Sequence, residues 1–596
     1  MAVVTDLPNW LKARYTVLNE AYGTLSFTFD EAVKILKEKN QDKEDSVPMV
    51  LSELGKAGWL SSNSDPSDAR RKIYTLIDES EVIKSSLQLE KETLTRKDIE
   101  GILKRAADLI RTRVDYKFIL VLLFLKRISD KWQLEYETAY KESIEEGMSE
   151  EEAKKEASEG VYHDFDIPEE YLWDNIRKDV TKLSEKFSMA LKVVAERNPK
   201  LRTVVDSLDF IQFAQSRENS EILRQLFELF SEKKLHNVSP DILGDAYEWI
   251  LRYFAPTKAK EGEIFTPREV VRLLIEILSP QPQGSVYDPA CGPGGMLIQA
   301  YKFVEERNGK EEAEKLFLYG QEANPKTEAL AIMNMYIHDI KNANIESGDT
   351  FLFPKFKEEQ GIKRFDIVVA NPPWNQDGYG EDVLKKGEFW QSRFRYGFSP
   401  DSSADWSWIQ HMVASAEDNK GRVGIVMDSG SLFRGGKERG IRSLILDKDL
   451  LESVIQLPEK LFYNTGAPGV ILIFRKNKDE DRNGRVLFIN ASNEFLKHPD
   501  VRKLNMLSDA NIKKIIEAYS EFKEEDGFSR VVSLEEVKKN DYNLNVSLYV
   551  SPKTDEESID IVKEFKELKN MEAQRQQIML EIEDFITQLE AANERK

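Results

Sequence analysis

Asn371-Pro372-Pro373-Trp374 stands just beyond the apolar run Phe365-Asp366-Ile367-Val368-Val369, and its residue types suit one reaction: methyl transfer to an exocyclic amine on a planar ring. The lone pair of such an amine, adenine N6 for example, is delocalised into the ring. It becomes nucleophilic only when acceptors aimed at its two hydrogens localise it. The Asn371 side-chain oxygen is one acceptor and the Pro372 carbonyl the other, and the two consecutive prolines fix φ and leave the backbone little freedom. Trp374 adds a flat face for the base. The same residues are also an ordinary way to end a strand, since proline stops the ladder and forces an extended residue before it. A second motif is needed to choose.

That motif lies upstream. Ser285-Val286-Tyr287 reads as a short strand leading into Asp288-Pro289-Ala290-Cys291-Gly292-Pro293-Gly294-Gly295, followed by a helix from Met296 to Asn308. Gly292, Gly294 and Gly295 allow a backbone turn close enough for a ligand to rest against it at the carboxyl end of a strand. The strand leaves an acidic residue and no Lys-Ser/Thr pair follows, so a triphosphate is disfavoured; an adenosine bearing a positive sulfonium fits better. The next strand, Leu316 to Gln321, ends at Glu322, whose carboxylate can accept both ribose hydroxyls. One strand later Asp349 is placed to accept from an adenine amino group, and the strand after that ends at Asn371. Residues 288, 322, 349 and 371 at strand ends are what one crevice along a sheet edge requires.

The elements that must position these residues fall into four regions. Residues 1–80 read as three helices, Trp10 to Ala21, one capped by Thr28 or Asp30 through Lys39, and Val47 to Ala57. A polar loop from Ser61 to Arg71 and the strand-like Lys72 to Leu76 follow, a winged-helix-like pattern that binds DNA or protein about equally readily. After a polar linker from Asp78 to Lys97, residues 98–255 are helical, with period-3.6 apolar positions in Ile99 to Leu109 and Phe118 to Ile128 and a solvated Glu/Lys-rich insert from Ser143 to Gly160. Residues 256–475 alternate strands and helices as a doubly wound α/β domain does. Residues 476–596 close with a long amphipathic helix at about 556–592, whose seam of Ile561, Phe565, Leu568, Met571, Ile578, Ile582, Phe585 and Leu589 is interrupted near Arg575.

Composition limits the function. Across 596 residues, 85 Lys and Arg stand against 106 Asp and Glu, a net charge of −21. That is unfavourable for gripping DNA phosphates over a wide surface unaided, so local basic patches or a basic partner are expected. One cysteine, Cys291, excludes an intrachain disulfide and suits a reducing, cytoplasmic setting. His163, His236, His338, His411 and His498 lack metal-ligand spacing, so no metal is expected. Neither a leader nor a membrane span is expected.

At this level of detail the sequence resembles the N6-adenine DNA methyltransferase (modification) subunits of type I restriction-modification systems. The resemblance covers residues 98 to 550. It rests on Ala106-Ala107-Asp108-Leu109-Ile110-Arg111 with Asp115-Tyr116-Lys117, on Leu123-Phe124-Leu125-Lys126-Arg127, and on Leu243-Gly244-Asp245-Ala246-Tyr247-Glu248. It extends through Gly262-Glu263-Ile264-Phe265-Thr266-Pro267-Arg268, Leu432-Phe433-Arg434-Gly435-Gly436 and Asp541-Tyr542-Asn543-Leu544-Asn545. The Phe-Thr-Pro element before the glycine turn, with Asn-Pro-Pro-Trp last, is the family's γ order. The resemblance implies an S-adenosylmethionine-dependent, Rossmann-like catalytic domain. It implies Glu263, Ile264, Phe265, Thr266, Pro267 and Arg268 under the methionine part of S-adenosylmethionine, with Asp288, Ala290, Cys291, Gly292, Gly294 and Gly295 beside it. Glu322 would take the ribose, Asp349 the adenine, and Asn371, Pro372, Pro373 and Trp374 the target base, which must rotate out of the duplex. No cysteine nucleophile is needed, so Cys291 is expected to pack. Pro293 departs from the usual Thr or Ser, Trp374 from Tyr or Phe, and Met427-Asp428-Ser429-Gly430 from a Leu-Pro-containing element.

After the tetrapeptide, Lys385 to Tyr396 interleaves basic and aromatic residues, and Lys385, Lys386, Arg393 and Arg395 are candidate DNA contacts from a loop over the flipped base. The C-terminal seam is expected to dock on a partner helix. By resemblance that partner is a specificity subunit, with two modification subunits per specificity subunit and a restriction subunit as a further partner on double-stranded DNA. Rival readings are N4-cytosine methylation, protein-glutamine methylation, and a catalytically silent DNA- or protein-binding scaffold.

Overall fold

The chain divides into two compact units, residues 1–253 with 332–339 and residues 254–331 with 340–596. The computed structural model describes residues 9–23, 25–40, 42–56, 59–64, 72–77, 94–110, 115–178, 182–202, 216–236, 238–258, 266–462, 465–499, 501–551 and 561–593. Glu263, Ile264 and Phe265 of the expected cofactor loop lie outside the described residues, as does most of the expected linker from Asp78 to Lys97.

The first unit opens with α1 (Asn9–Tyr22), β1 (Phe27–Thr28), α2 (Phe29–Asn40), α3 (Val47–Lys56), β2 (Leu60–Ser64) and β3 (Lys72–Leu76). Thr28 starts α2 as a reciprocal cap: Glu31 Oε2 accepts from the Thr28 amide at 2.7 Å while Thr28 Oγ1 accepts from the Glu31 amide at 3.4 Å. Leu11, Leu18, Phe27, Leu36, Leu54 and Trp59 form its core. The sheet has three antiparallel strands in the order β1-β3-β2. Ser61 to Ser64, expected as loop, form a strand because their backbones pair along Lys72 to Thr75; without apolar alternation the side chains give no sign of it. Helices α4 (Arg96–Ile110), α5 (Lys117–Glu145), α6 (Glu150–Ala157), α7 (Leu183–Arg197) and α8 (Arg217–Ser231) follow. Within the expected solvated insert, Ser149 caps α6, which buries Ala153 and Ala157.

The second unit is built on a nine-stranded sheet. Helix α9 (Arg268–Leu278) precedes β4 (Ser285–Asp288), α10 (Gly295–Asn308), β5 (Phe317–Glu322), β6 (Asn344–Ser347) and β7 (Ile367–Ala370). Helix α11 (Asp405–Ala414), β8 (Arg422–Asp428), α12 (Gly436–Leu446), β9 (Leu451–Gln456), β10 (Gly469–Arg475), β11 (Arg485–Asn490) and β12 (Ser529–Ser533) complete it, and α13 (Ile561–Asn593) ends the described chain. The strand order is β12-β11-β9-β10-β8-β7-β4-β5-β6. From β4 the chain winds outward through the parallel β5 and β6, then returns to β4's other side as the parallel β7 and β8. This reversal opens a crevice at the carboxyl ends of β4 and β7, the switch point of a doubly wound sheet. Strand β10 runs antiparallel between β8 and β9. The sheet does not stop at residue 475: Val486, Phe488 and Val532 of β11 and β12 enter the same core as Val423 and Val368.

Candidate active site

Four strands deliver the expected residues to one edge, where Asp288 ends β4, Glu322 ends β5, Asp349 follows β6, and Asn371 follows β7. The turn after β4 is closed by the Gly294 amide on the Cys291 carbonyl at 2.9 Å. Gly292 and Gly294 take left-handed φ values of 52° and 86°, which a side chain would strain. Pro293 fits because the turn closes without the amide it lacks. Cys291 packs beneath the turn, and burial pushes its thiol well above its ordinary value, so it is held as a neutral packing residue.

The acidic residues here are held by backbone amides. Asp288 Oδ1 accepts from Ala290 at 3.0 Å; Glu322 accepts from Gly292 at 3.0 Å through Oε2 and from Asn324 at 2.8 Å through Oε1. Asp349 Oδ1 accepts from the Phe351 and Leu352 amides at 2.8 and 3.0 Å, and its Oδ2 from the Tyr379 hydroxyl at 2.7 Å. Burial, with a smaller push from the charge of Glu322 and against the pull of the Ala290 amide, raises Asp288 to about 8. A buried Asp288 with the half-buried Glu322 beside the same turn suits a positively charged nucleoside, whose charge relieves their repulsion; a polyphosphate adds to it. S-adenosylmethionine therefore fits this donor set.

On the other side of the crevice the contacts run mainly between side chains, some distant in sequence and some close. Asn371, 9% exposed, donates from Nδ2 to Thr266 Oγ1 at 2.8 Å and accepts at Oδ1 from Trp374 Nε1 at 2.9 Å. The half-buried Trp374 meets Phe462 edge to face at 4.8 Å between centroids. Pro267 leads into α9, its carbonyl accepting from Val270 and Val271 at 3.0 Å, and Arg268 is the first residue of that helix. Just beyond the tetrapeptide, Asn375 takes a left-handed φ of 52°, its amide donating to Asp405 Oδ1 at 2.8 Å. Arg434 gathers the surroundings: it donates to Asn375 Oδ1 at 2.7 Å, to Asp428 at 3.2 Å, to Glu438 at 2.7 Å and to the fully buried Asp405. Asp428, within the departing element Met427 to Gly430, belongs to this network. Asp428 caps the turn through the Gly430 amide at 3.1 Å and pairs with Arg434.

Sequence reasoning missed Tyr379, Asp405, Asn375 and the Arg434 hub. Arg434 lay within the quoted Leu-Phe-Arg-Gly-Gly element; no spacing pointed to the others. The candidate DNA contacts divide. Lys385 and Lys386 are exposed, Lys385 pairing with Glu381 at 2.7 Å, and Arg395 is exposed. Arg393 is corrected: it is 1% exposed, and its guanidinium donates to the carbonyls of Thr350, Phe351 and Glu388 at 2.9, 2.5 and 2.6 Å. It staples the loop from inside, because a fork of five donors matches converging carbonyls.

A family model described as N-6 DNA Methylase matches residues 238–558, more than half the chain. The chain belongs to the N-6 DNA methylase family. A second model, the HsdM N-terminal domain, matches residues 99–230. Two similar relatives from Methanocaldococcus jannaschii are type I restriction enzyme methylase subunits: MjaVIII is 45% identical over 95% of each chain and MjaVII 42% identical over 98% of each. The crystal structure of a type I restriction-modification methyltransferase subunit from Streptococcus thermophilus, 27% identical, superposes with a TM-score of 0.66 over 77% of this chain and 100% of that one. This N-6 DNA methylase is a methyltransferase subunit of the type I restriction-modification kind, and S-adenosylmethionine is its methyl donor. N4-cytosine methylation, glutamine methylation and a silent scaffold are not favoured.

Proposed function

We propose that Asn371 and Pro372 accept the two hydrogens of an adenine N6 in double-stranded DNA, and that Asp288, Glu322 and Asp349 hold the cofactor beside it. The observation that carries this is the convergence of those four strand ends on one crevice, with the Asn371 amide oriented from both sides. When bound, S-adenosylmethionine would supply an electrophilic methyl for the amine to take from sulfur, which would keep the bonding pair, while the amine's proton would pass to water. Glu322 takes the ribose hydroxyls, and Asp349, steadied by Tyr379, takes the cofactor's adenine amine. Turn residues Ala290, Cys291, Gly292, Gly294 and Gly295, with the loop from Glu263 through Arg268, line the methionine part. Pro373 stiffens the acceptor backbone and Trp374 offers its ring to the base. Acceleration then comes from positioning and electrostatics.

Site choice is the work of a partner. Helix α13 leaves Phe565, Leu568, Met571, Ile578, Ile582 and Phe585 roughly half exposed, which suits docking on a helix of a specificity subunit. A basic specificity subunit would offset the −21 charge. Two such methylases per specificity subunit, a restriction subunit and a cytoplasmic setting complete the reading; no helix among the described residues is long and apolar enough to cross a membrane. Lys385, Lys386 and Arg395 add local phosphate contacts. The test is tritiated methyl transfer to DNA from a source lacking the modification, with modified adenines mapped. The intact complex labels adenine at one sequence, Asn371→Ala labels none, and removal of residues 556–596 disassembles the complex before it affects cofactor binding. Wild-type labelling by Asn371→Ala would sink the assignment.

A further inference from the structure

The Asn371 amide is held at both ends, and the two holders differ in kind. Thr266 Oγ1, 2.8 Å from Nδ2, can accept or donate; Trp374 Nε1, 2.9 Å from Oδ1, can only donate. Thr266 alone would satisfy either orientation of the amide. The indole admits one, because a flipped amide would set its NH2 against the indole N–H. An amide oxygen has two lone pairs, and Trp374 occupies one. The other stays available to an amine hydrogen.

The indole is itself fixed. Its N–H is shared with the Val426 carbonyl at 3.2 Å. A Cβ added at Gly469 would come within 3.3 Å of the ring and 2.6 Å of Phe462, so the bare backbone of β10 is what admits both aromatics. Oδ1 and the Val426 carbonyl thus face the same proton. If that proton is removed, the vacated space favours a donor, and the Asn371 NH2 can supply one by flipping.

We propose that Trp374 and Thr266 are positioning residues for the Asn371 amide: Trp374 selects its reactive orientation, through its N–H and not only through its ring face, and Thr266 anchors the other end of the amide in place. The proposal rests on the reading of Asn371 as acceptor of the target amine. Its test is single-turnover methylation by the methylase in complex with its native partner, with separate measurement of S-adenosylmethionine Kd and DNA KM. Trp374→Phe keeps a ring and loses the donor. Flipping worth about one hydrogen bond lowers kcat by about tenfold, while Kd and KM stay within about twofold. Thr266→Val lowers kcat similarly, and Thr266→Ser restores it. Trp374→Phe at wild-type kcat, or with its loss confined to DNA KM, would overturn the proposal. Equal impairment of Thr266→Ser and Thr266→Val would overturn the part assigned to Thr266, and the Thr266 pair decides if Trp374→Phe fails to fold. Asn371→Ala separates the two readings: activity in that variant removes the acceptor assignment itself, whereas inactivity beside a normal Trp374→Phe removes only this proposal.

Discussion

The two sides of the crevice are built differently. On the side proposed for the cofactor, Asp288, Glu322 and Asp349 are fixed largely by backbone amides, most of them two or three residues away. On the side proposed for the base, side chains do the holding: Asn371 is fixed by Thr266, 105 residues away, and by Trp374, three residues away, and Asn375 by Asp405 and Arg434, 30 and 59 residues away. A locally held site keeps its shape when distant parts shift, whereas a site held over long range registers them. The side proposed for the cofactor leans mostly on nearby backbone, and the side proposed for the base on a larger part of the sheet edge.

The sharpest way to break this comparison is to exchange their phenotypes. Asn371→Ala should cost about a thousandfold in kcat with S-adenosylmethionine affinity unchanged by calorimetry, whereas Glu322→Ala should weaken that affinity by about thirtyfold and leave kcat at saturation within a few-fold. Next in size is Arg434→Met, which strands the buried Asp405 and Glu438 and should destabilise the unit by about 3 kcal/mol, read as a fall in denaturant midpoint. The equivalent loss at Tyr379 should reach only the cofactor side: Tyr379→Phe weakens S-adenosylmethionine binding by about fivefold, the scale of one hydrogen bond.

A pH series sharpens the comparison further. In the free protein Asp288 is raised to about 8 and is mostly protonated at neutral pH. A cationic cofactor favours the carboxylate. Binding therefore releases a proton, and affinity climbs as pH rises towards 8 and levels above it; calorimetry in buffers of differing ionisation enthalpy checks both. The smallest effect is expected at the rim. Arg395→Ala should lower the slope of log DNA affinity against log salt by about one, while Arg393→Ala should lower stability instead.

The same contrast decides what could be read from the chain. Glycines at left-handed positions, carboxylates at or just past strand ends and the period of the apolar runs are local signals, and they carried the placement of Asp288, Glu322 and Asp349, the switch in the sheet and the helices of the first unit. The three-stranded sheet escaped in part because Ser61 to Ser64 owe their strand to a neighbour's backbone. Arg393 was assigned outward because composition shows that basic and aromatic residues alternate but not which way each points; three carbonyls turned it inward. Tyr379 and Asp405 carry no local mark at all, since their partners arrive only when β6, β7 and α11 come together.

Helix α13 has a consequence for supply. With Phe565, Leu568 and Phe585 each more than half exposed, a chain made ahead of the partner proposed for this helix would carry an apolar strip open to other copies of itself or to a protease. On the proposed docking, the dose of the specificity subunit, more than the intrinsic stability of the catalytic fold, would set how much methylase persists.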